Sequence, residues 1–219
     1  AFKTERSTVI GDVNGDGYFD VALIDYGPDE VFIVMGQADG QFGNAVHIPN
    51  NDPNYVVTPA SLSPALGHGI ITAGDVNLDG VPDLYAGALG TASGAPTNSG
   101  MMWLLLLNSD GTLQKGFEVT EGMPAKIAGA GCGYGIGVLG DNNGDGFLEV
   151  LLGCGYVGGD AFAYLLYMGL NGIVGRSVVH TTAGNANFGV TSTFGYAFAA
   201  LGDLDGNGHL DYASLAQAI

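Results

Sequence analysis

The 219-residue chain is predicted to be all-β, assembled from repeated units of four antiparallel strands. Three observations carry that expectation: an acidic loop pattern that recurs four times, short apolar runs on either side of each copy, and 39 glycines with no third-position period. The pattern is Gly-Asp-x-(Asn/Asp)-x-(Asp/Asn)-Gly-x-x-(Asp/Glu). It opens at Asp12, Asp75, Asp141 and Asp203, so successive copies begin 63, 66 and 62 residues apart. A period of this length governs the whole fold and is therefore read before any local motif.

Each unit is read in the same order. A Gly-rich apolar stretch, such as Leu66–Gly74 or Ser7–Gly11, leads into the acidic loop, and a short apolar run leaves it. A third run follows at Val31–Met35, Met101–Leu107 and Ala161–Met168. It ends near Asp39-Gly40, Asp110-Gly111 or Asn171-Gly172, dipeptides that suit two-residue hairpin turns because they tolerate positive φ. A fourth strand departs over Gln41–Ile48 or Ile173–His180.

Third strands such as Trp103–Leu107 are apolar at every position, whereas a strand with one wet face would alternate. Both faces must therefore be covered. Radially stacked blades cover them, so a β-propeller is expected in preference to a sandwich or a solenoid. The chain reads as a single domain over 1–219, with repeats at roughly 7–60, 66–128, 132–190 and 194–219. The last unit closes on a second strand, Tyr212–Ala216, which makes about three and a half blades. Such an open or partial propeller would be completed by further chain or by neighbouring subunits, because unpaired sheet edges invite pairing.

The acidic loops have the chemistry of cation sites. Side-chain oxygens stand at positions 1, 3, 5 and 9: Asp12, Asn14, Asp16 and Asp20; Asp75, Asn77, Asp79 and Asp83; Asp141, Asn143, Asp145 and Glu149; Asp203, Asp205, Asn207 and Asp211. A backbone carbonyl at position 7 (Tyr18, Val81, Phe147, His209) would fill the remaining gap. Alternating hard oxygens on a curled loop suit Ca²⁺, which takes six to eight of them; Mg²⁺ demands a tighter octahedron, and zinc wants His or Cys. An EF-hand would need a carboxylate at position 12, where this chain has Leu23, Ala86, Leu152 and Ser214. Twelve of the 22 acidic residues lie in these loops, and four Ca²⁺ would bring the formal charge from −17 to −9. The competing reading is of ordinary turns whose side chains are satisfied by their own backbone.

The stretch from Leu66-Gly67-His68-Gly69 through Gly74-Asp75-Val76-Asn77-Leu78-Asp79-Gly80-Val81-Pro82-Asp83 to Ala88 resembles an FG-GAP repeat, the calcium-binding blade of integrin alpha-subunit propellers and related surface proteins. Phe194-Gly195 and Tyr134-Gly135 are read as the equivalent openings of the fourth and third repeats; the first repeat has Ser7-Thr8-Val9-Ile10 before its loop. The resemblance implies a propeller with calcium loops at one face and longer connections at the other. It does not imply a ligand, because one fold hosts many functions.

Cys132 and Cys154 stand 11 residues on either side of Asn143 and would meet across the third repeat's first two strands. A disulfide and two buried thiols are both open, since bridging geometry is narrow. A disulfide would point to an oxidising compartment. The four histidines (His47, His68, His180, His209) form no pair at metal spacing and are read as structural, and Trp103, Met101 and Met102 as packing. The expected binding surface is opposite the acidic loops, over Asn50–Ala65, Gly90–Gly100 and Ala183–Thr193, with Tyr26, Tyr55, Tyr156 and Phe188 as exposed aromatic anchors. Thr91–Ser99 could carry O-linked sugar.

Five Lys+Arg argue against a nucleic-acid partner. The longest apolar run, Met101–Leu107, is too short to span a membrane as a helix. The expected function is a non-catalytic extracellular or surface-displayed calcium-binding module for adhesion or recognition, with a protein or glycan as ligand. The alternative is a structural subunit of an extracellular filament whose copies join through open sheet edges.

Overall fold

The computed structural model describes residues 4–25, 30–56, 66–88, 99–124, 130–155, 161–181 and 194–216, and among these it is all-β. The first sheet is β1 (Thr4–Gly11), β2 (Asp20–Asp25), β3 (Glu30–Gly36) and β4 (Phe42–Ile48), hydrogen-bonded in sequence order. After a short β5 (Tyr55–Val56), the second sheet is β6 (Leu66–Gly74), β7 (Asp83–Ala88), β8 (Met101–Leu107) and β9 (Leu113–Glu118). The third is β10 (Ile136–Gly140), β11 (Glu149–Cys154), β12 (Phe162–Met168) and β13 (Val174–Thr181). The fourth repeat supplies a two-stranded sheet, β14 (Phe194–Gly202) with β15 (Asp211–Ala216).

Three expectations are corrected. The second sheet has a fifth strand, because β5 runs parallel to β9 through Tyr55↔Gly116 and Val56↔Phe117. A two-residue strand has no periodicity to read, and Gly116 is the reason it fits: a Cβ there would lie 2.4 Å from the Tyr55 ring. Tyr55 is consequently buried, edge-on to Trp103 at 5.7 Å, and is no exposed anchor. Tyr26, Tyr156 and Phe188, and most of the three long connections, lie outside the described residues.

The hairpin turns are the second correction. They are five-residue connections, each opening with a β-turn in which Gly40, Gly111 and Gly172 donate to the carbonyls of Gln37, Asn108 and Gly169 at 2.9, 2.8 and 3.0 Å. All three glycines have positive φ (76°, 80° and 72°), and the strands resume after a register shift. Asp-Gly thus marks the turn correctly but not its length.

The third correction concerns repeat alignment. Leu66 pairs with Ala88 and Phe194 with Ala216, each nine residues before the loop, and Cys132 occupies the same place opposite Cys154. The third repeat's equivalent of Phe194-Gly195 is therefore Cys132-Gly133, not Tyr134-Gly135. The two cysteines are joined by a disulfide with their Cα atoms 4.0 Å apart.

The sheets pack through one repeated interface. Strand β1 lies against β6, β6 against β10, and β10 against β14. The position 8 side chain of one loop covers the glycine that opens the loop before it: Pro82 over Gly11, Leu148 over Gly74, Leu210 over Gly140. Gly133 approaches Gly87 and Gly195 approaches Gly153 so closely that a Cβ on Gly87 or Gly153 would fall 1.9 Å from the opposing carbonyl oxygen. Gly153→Ala is accordingly expected to cost about 1–3 kcal/mol by forcing the third and fourth sheets apart. Gly175→Ala, whose Cβ meets nothing closer than 3.8 Å, should leave the urea midpoint within error of the parent.

Burial explains the all-apolar strand. The side chains of β8 alternate between two cores: Trp103, Leu105 and Leu107 pack with Ile10, Ile24 and Ile33 of the first sheet, and Met102, Leu104 and Leu106 with Val150, Leu152 and Leu166 of the third. All seven residues of β8 are buried. A smaller cluster of Leu139, Leu151 and Leu165 holds the fourth sheet through Phe198, Leu210 and Tyr212.

At the same junction the Tyr212 hydroxyl lies 2.9 Å from His180 Nδ1. Burial holds His180 below its ordinary pKa, so the folded state favours the neutral ring. That contribution is complete above pH ~6.5, the unfolded value, and is lost as pH falls through it. Melts at pH 7.5 and 5.5 should show this loss in the parent and a smaller one in His180→Gln.

Candidate metal centres

Each acidic loop joins the first two strands of its sheet, and its side chains fold inward on the loop's own amides. At position 1, Asp12 Oδ1 accepts from Asp16 N–H at 3.0 Å and Oδ2 from Gly17 N–H at 2.8 Å. Asp75 binds Asp79 and Gly80 in the same way, Asp141 binds Asp145 and Gly146, and Asp203 binds Asn207 and Gly208. The Gly146 and Gly208 amides lead the influences that hold Asp141 and Asp203 below the usual carboxylate range.

At position 3, an oxygen of Asn14, Asn77, Asn143 or Asp205 accepts from the position 5 amide at 2.9–3.1 Å. At position 5, Asp16, Asp79, Asp145 and Asn207 accept from the amides of Tyr18, Val81, Phe147 and His209. The position 7 residues, expected to offer carbonyls, are thus tied down through their N–H groups. In the first three loops the position 3 amide also donates to the second position 5 oxygen, at 2.8–2.9 Å. The self-satisfied turn and the cation loop therefore share one scaffold: most accepting oxygens keep a second lone pair, while Asp141 Oδ1 takes the amides of both Gly144 and Asp145, and Asp79 Oδ2 takes the side-chain amides of Asn77 and Gln114.

Position 9 is different in kind. Asp20, Asp83 and Glu149 are fully buried, and Asp211 is half-buried. Asp20 Oδ2 accepts from Val13 N–H at 2.7 Å and its Oδ1 from Gly36 N–H at 2.8 Å, which ties the loop to the end of β3. Asp83 repeats this with Val76 at 3.1 Å and Leu107 at 3.0 Å. Burial pushes Asp83 up to about 7 against the pull of those two amides, and the charges of Asp79 and Asp75 add to the rise. This clamp on the third strand was not read from sequence, because the partner amides lie 16 and 24 residues away and carry no side-chain signal.

Carboxylate oxygens gather within 4.8 Å of one another in two loops: Asp141, Asp145 and Glu149, and Asp203, Asp205 and Asp211. Each of these two loops departs from the other two: the third has the longer Glu149 at position 9, and the fourth has Asp205 at position 3 with Asn207 at position 5. In the third loop Glu149 Oε2 accepts from Asn142 N–H, while Oε1 is buried without a hydrogen-bond partner. Burial raises the Glu149 pKa. A carboxyl oxygen kept from water beside two further carboxylates is one that a bound cation would satisfy, and the donor set, all hard oxygen, fits Ca²⁺.

Repeated β-sheets, each carrying such a loop between its first two strands, define an acidic-loop repeat protein. The FG-GAP-like repeat matches residues 12–86, from position 1 of the first loop to the second strand of the second sheet. No curated protein matches the chain.

Proposed function

We propose that the four sheets are blades of a β-propeller-type module, that each acidic loop holds one Ca²⁺, and that the module acts outside the cell by recognition rather than catalysis. The observation that carries the metal is Glu149 Oε1, buried and unpartnered next to Asp141 and Asp145. The blade arrangement is supported by the repeated glycine contacts and by a cavity of about 200 Å³ that all four first strands line, through residues including Arg6, Ile70, Ile136 and Tyr196. The extracellular setting is supported by the Cys132–Cys154 disulfide.

In this reading Asp12, Asp75, Asp141 and Asp203 with their position 3 and 5 partners face the ion, and the position 9 carboxylates share it with the sheet. Titrating chelator-stripped protein with CaCl₂ should give heat for up to four sites. Asp145→Ala should delete one site and leave the others, since repeats couple mainly to their neighbours. Titration without heat would sink the proposal.

A second reading, assembly through open sheet edges, is favoured by the edge of β15. Asp211 accepts from Leu204 N–H at 2.8 Å, as Asp20 and Asp83 do from their loops, but those two also hold the N–H of a third strand. A strand laid along β15, from further chain or from a second copy, would supply that donor, and only the second copy makes an assembly. Light scattering that finds only discrete monomers at high concentration would remove this reading.

A further inference from the structure

The three turns that join third to fourth strands are equivalent, yet the space between turn and acidic loop is filled in two sheets and open in one. In the second sheet, Gln114 Nε2 reaches back to donate to Asp79 Oδ2 at 3.1 Å. In the first, Gly43 stands where Gln114 does, and the side-chain amide of Gln37 occupies the place, 3.0 Å from where a Gly43 Cβ would be. In the third sheet both positions are glycine: Gly169 corresponds to Gln37 and Gly175 to Gln114. Nothing stands within 3.5 Å of a Cβ built on either one.

The result is a groove of about 430 Å³ whose walls include Asn143, Asp145, Tyr167, Leu170, Ile173 and Arg176. The Arg176 guanidinium lies 5.0 Å from the centre of the Tyr167 ring. It makes no ion pair among the described residues, although the chain carries a formal charge of −17. Leu170 and Ile173 are 46% and 40% exposed. The sister turns have Ala38 and Gln41, or Ser109 and Thr112, at those places.

We propose that this groove binds a sugar unit bearing a carboxylate. A pyranose ring has an apolar C–H face, which suits Leu170, Ile173 and the edge of Tyr167, and a hydroxyl rim, which suits Asn143 and the cation at Asp145. Its carboxylate pairs with Arg176, whose fork accommodates two oxygens. The volume falls in the range of small-ligand sites. The inference rests on the reading of the third loop as a Ca²⁺ site, because an uncompensated Asp145 would repel the ligand.

The probe is tri-galacturonate, titrated into the protein in CaCl₂ and in chelator, with neutral tri-galactose and a penta-glutamate peptide as comparisons. Binding of tri-galacturonate in CaCl₂ should fall at least tenfold in Arg176→Gln and in Gly175→Gln, the second restoring the side chain that fills the second sheet. Calcium titration of the same variants should be unchanged. Calcium binding without sugar binding overturns the groove proposal alone, whereas absence of both overturns the metal reading with it. Equal affinity for the neutral sugar, preference for the peptide, binding that survives chelator, or retention in both variants would each overturn the assignment.

Discussion

Asp83→Ala lowers the stability of the protein by about 2–6 kcal/mol, because it leaves the Val76 and Leu107 amides without the acceptor they share, and each buried orphan costs roughly 1–3 kcal/mol. Against a typical total of about 5–15 kcal/mol this is a large fraction. Asp83→Asn keeps one accepting oxygen and is expected to lose roughly half as much. Asp79→Ala, on the exposed turn of the same loop, should cost about 1 kcal/mol or less in metal-free protein while abolishing the cation site proposed for that loop. Urea unfolding of the three variants in chelator isolates the clamp, because with no ion present only the loss of the buried position 9 acceptor should be large. Equal losses for Asp83→Ala and Asp79→Ala would show that the buried clamp has no special weight.

The proposed calcium should supply the other large effect. An ion that binds only the native state adds about 2.7 kcal/mol per site when present at a hundred times its Kd. For a chain of this size each kcal/mol moves Tm by roughly 2–4 °C, so one such site is worth about 5–11 °C. Several sites should add, to the extent that the sheets unfold together. Melting the same sample in CaCl₂ and after verified removal of metal measures the difference. The size of the shift should fall in steps as Asp16, Asp79 and Asp145 are replaced one at a time. An identical Tm with and without metal would leave the loops as self-satisfied turns, a state their internal hydrogen bonds already permit.

The repeat and its acidic loops were legible because their signal is local. Asp, Asn and Gly at fixed offsets build the same hydrogen-bonded turn four times from neighbours no more than five residues away. The third strands were legible because burial on both faces removes alternation, as β8 demonstrates between its two cores. Boundaries were read less well: β1 extends back to Thr4, and the Asp-Gly turns take five residues, since bulges at Val34, Leu106 and Tyr167 absorb the difference.

What the sequence by itself determined is therefore everything set by short-range chemistry: the period, the strand pairs, the curled loops with their side-chain oxygens, and the apolar content of the strands. Only the tertiary structure decided which oxygens are buried, that Cys132-Gly133 takes the place of Phe194-Gly195, that Tyr55 lies under β9, and that one sheet of three leaves a groove beside its loop. The reason is range. A backbone amide from a strand 24 residues away, or a glycine where a sister sheet has glutamine, acts only once the chain has brought the two surfaces together.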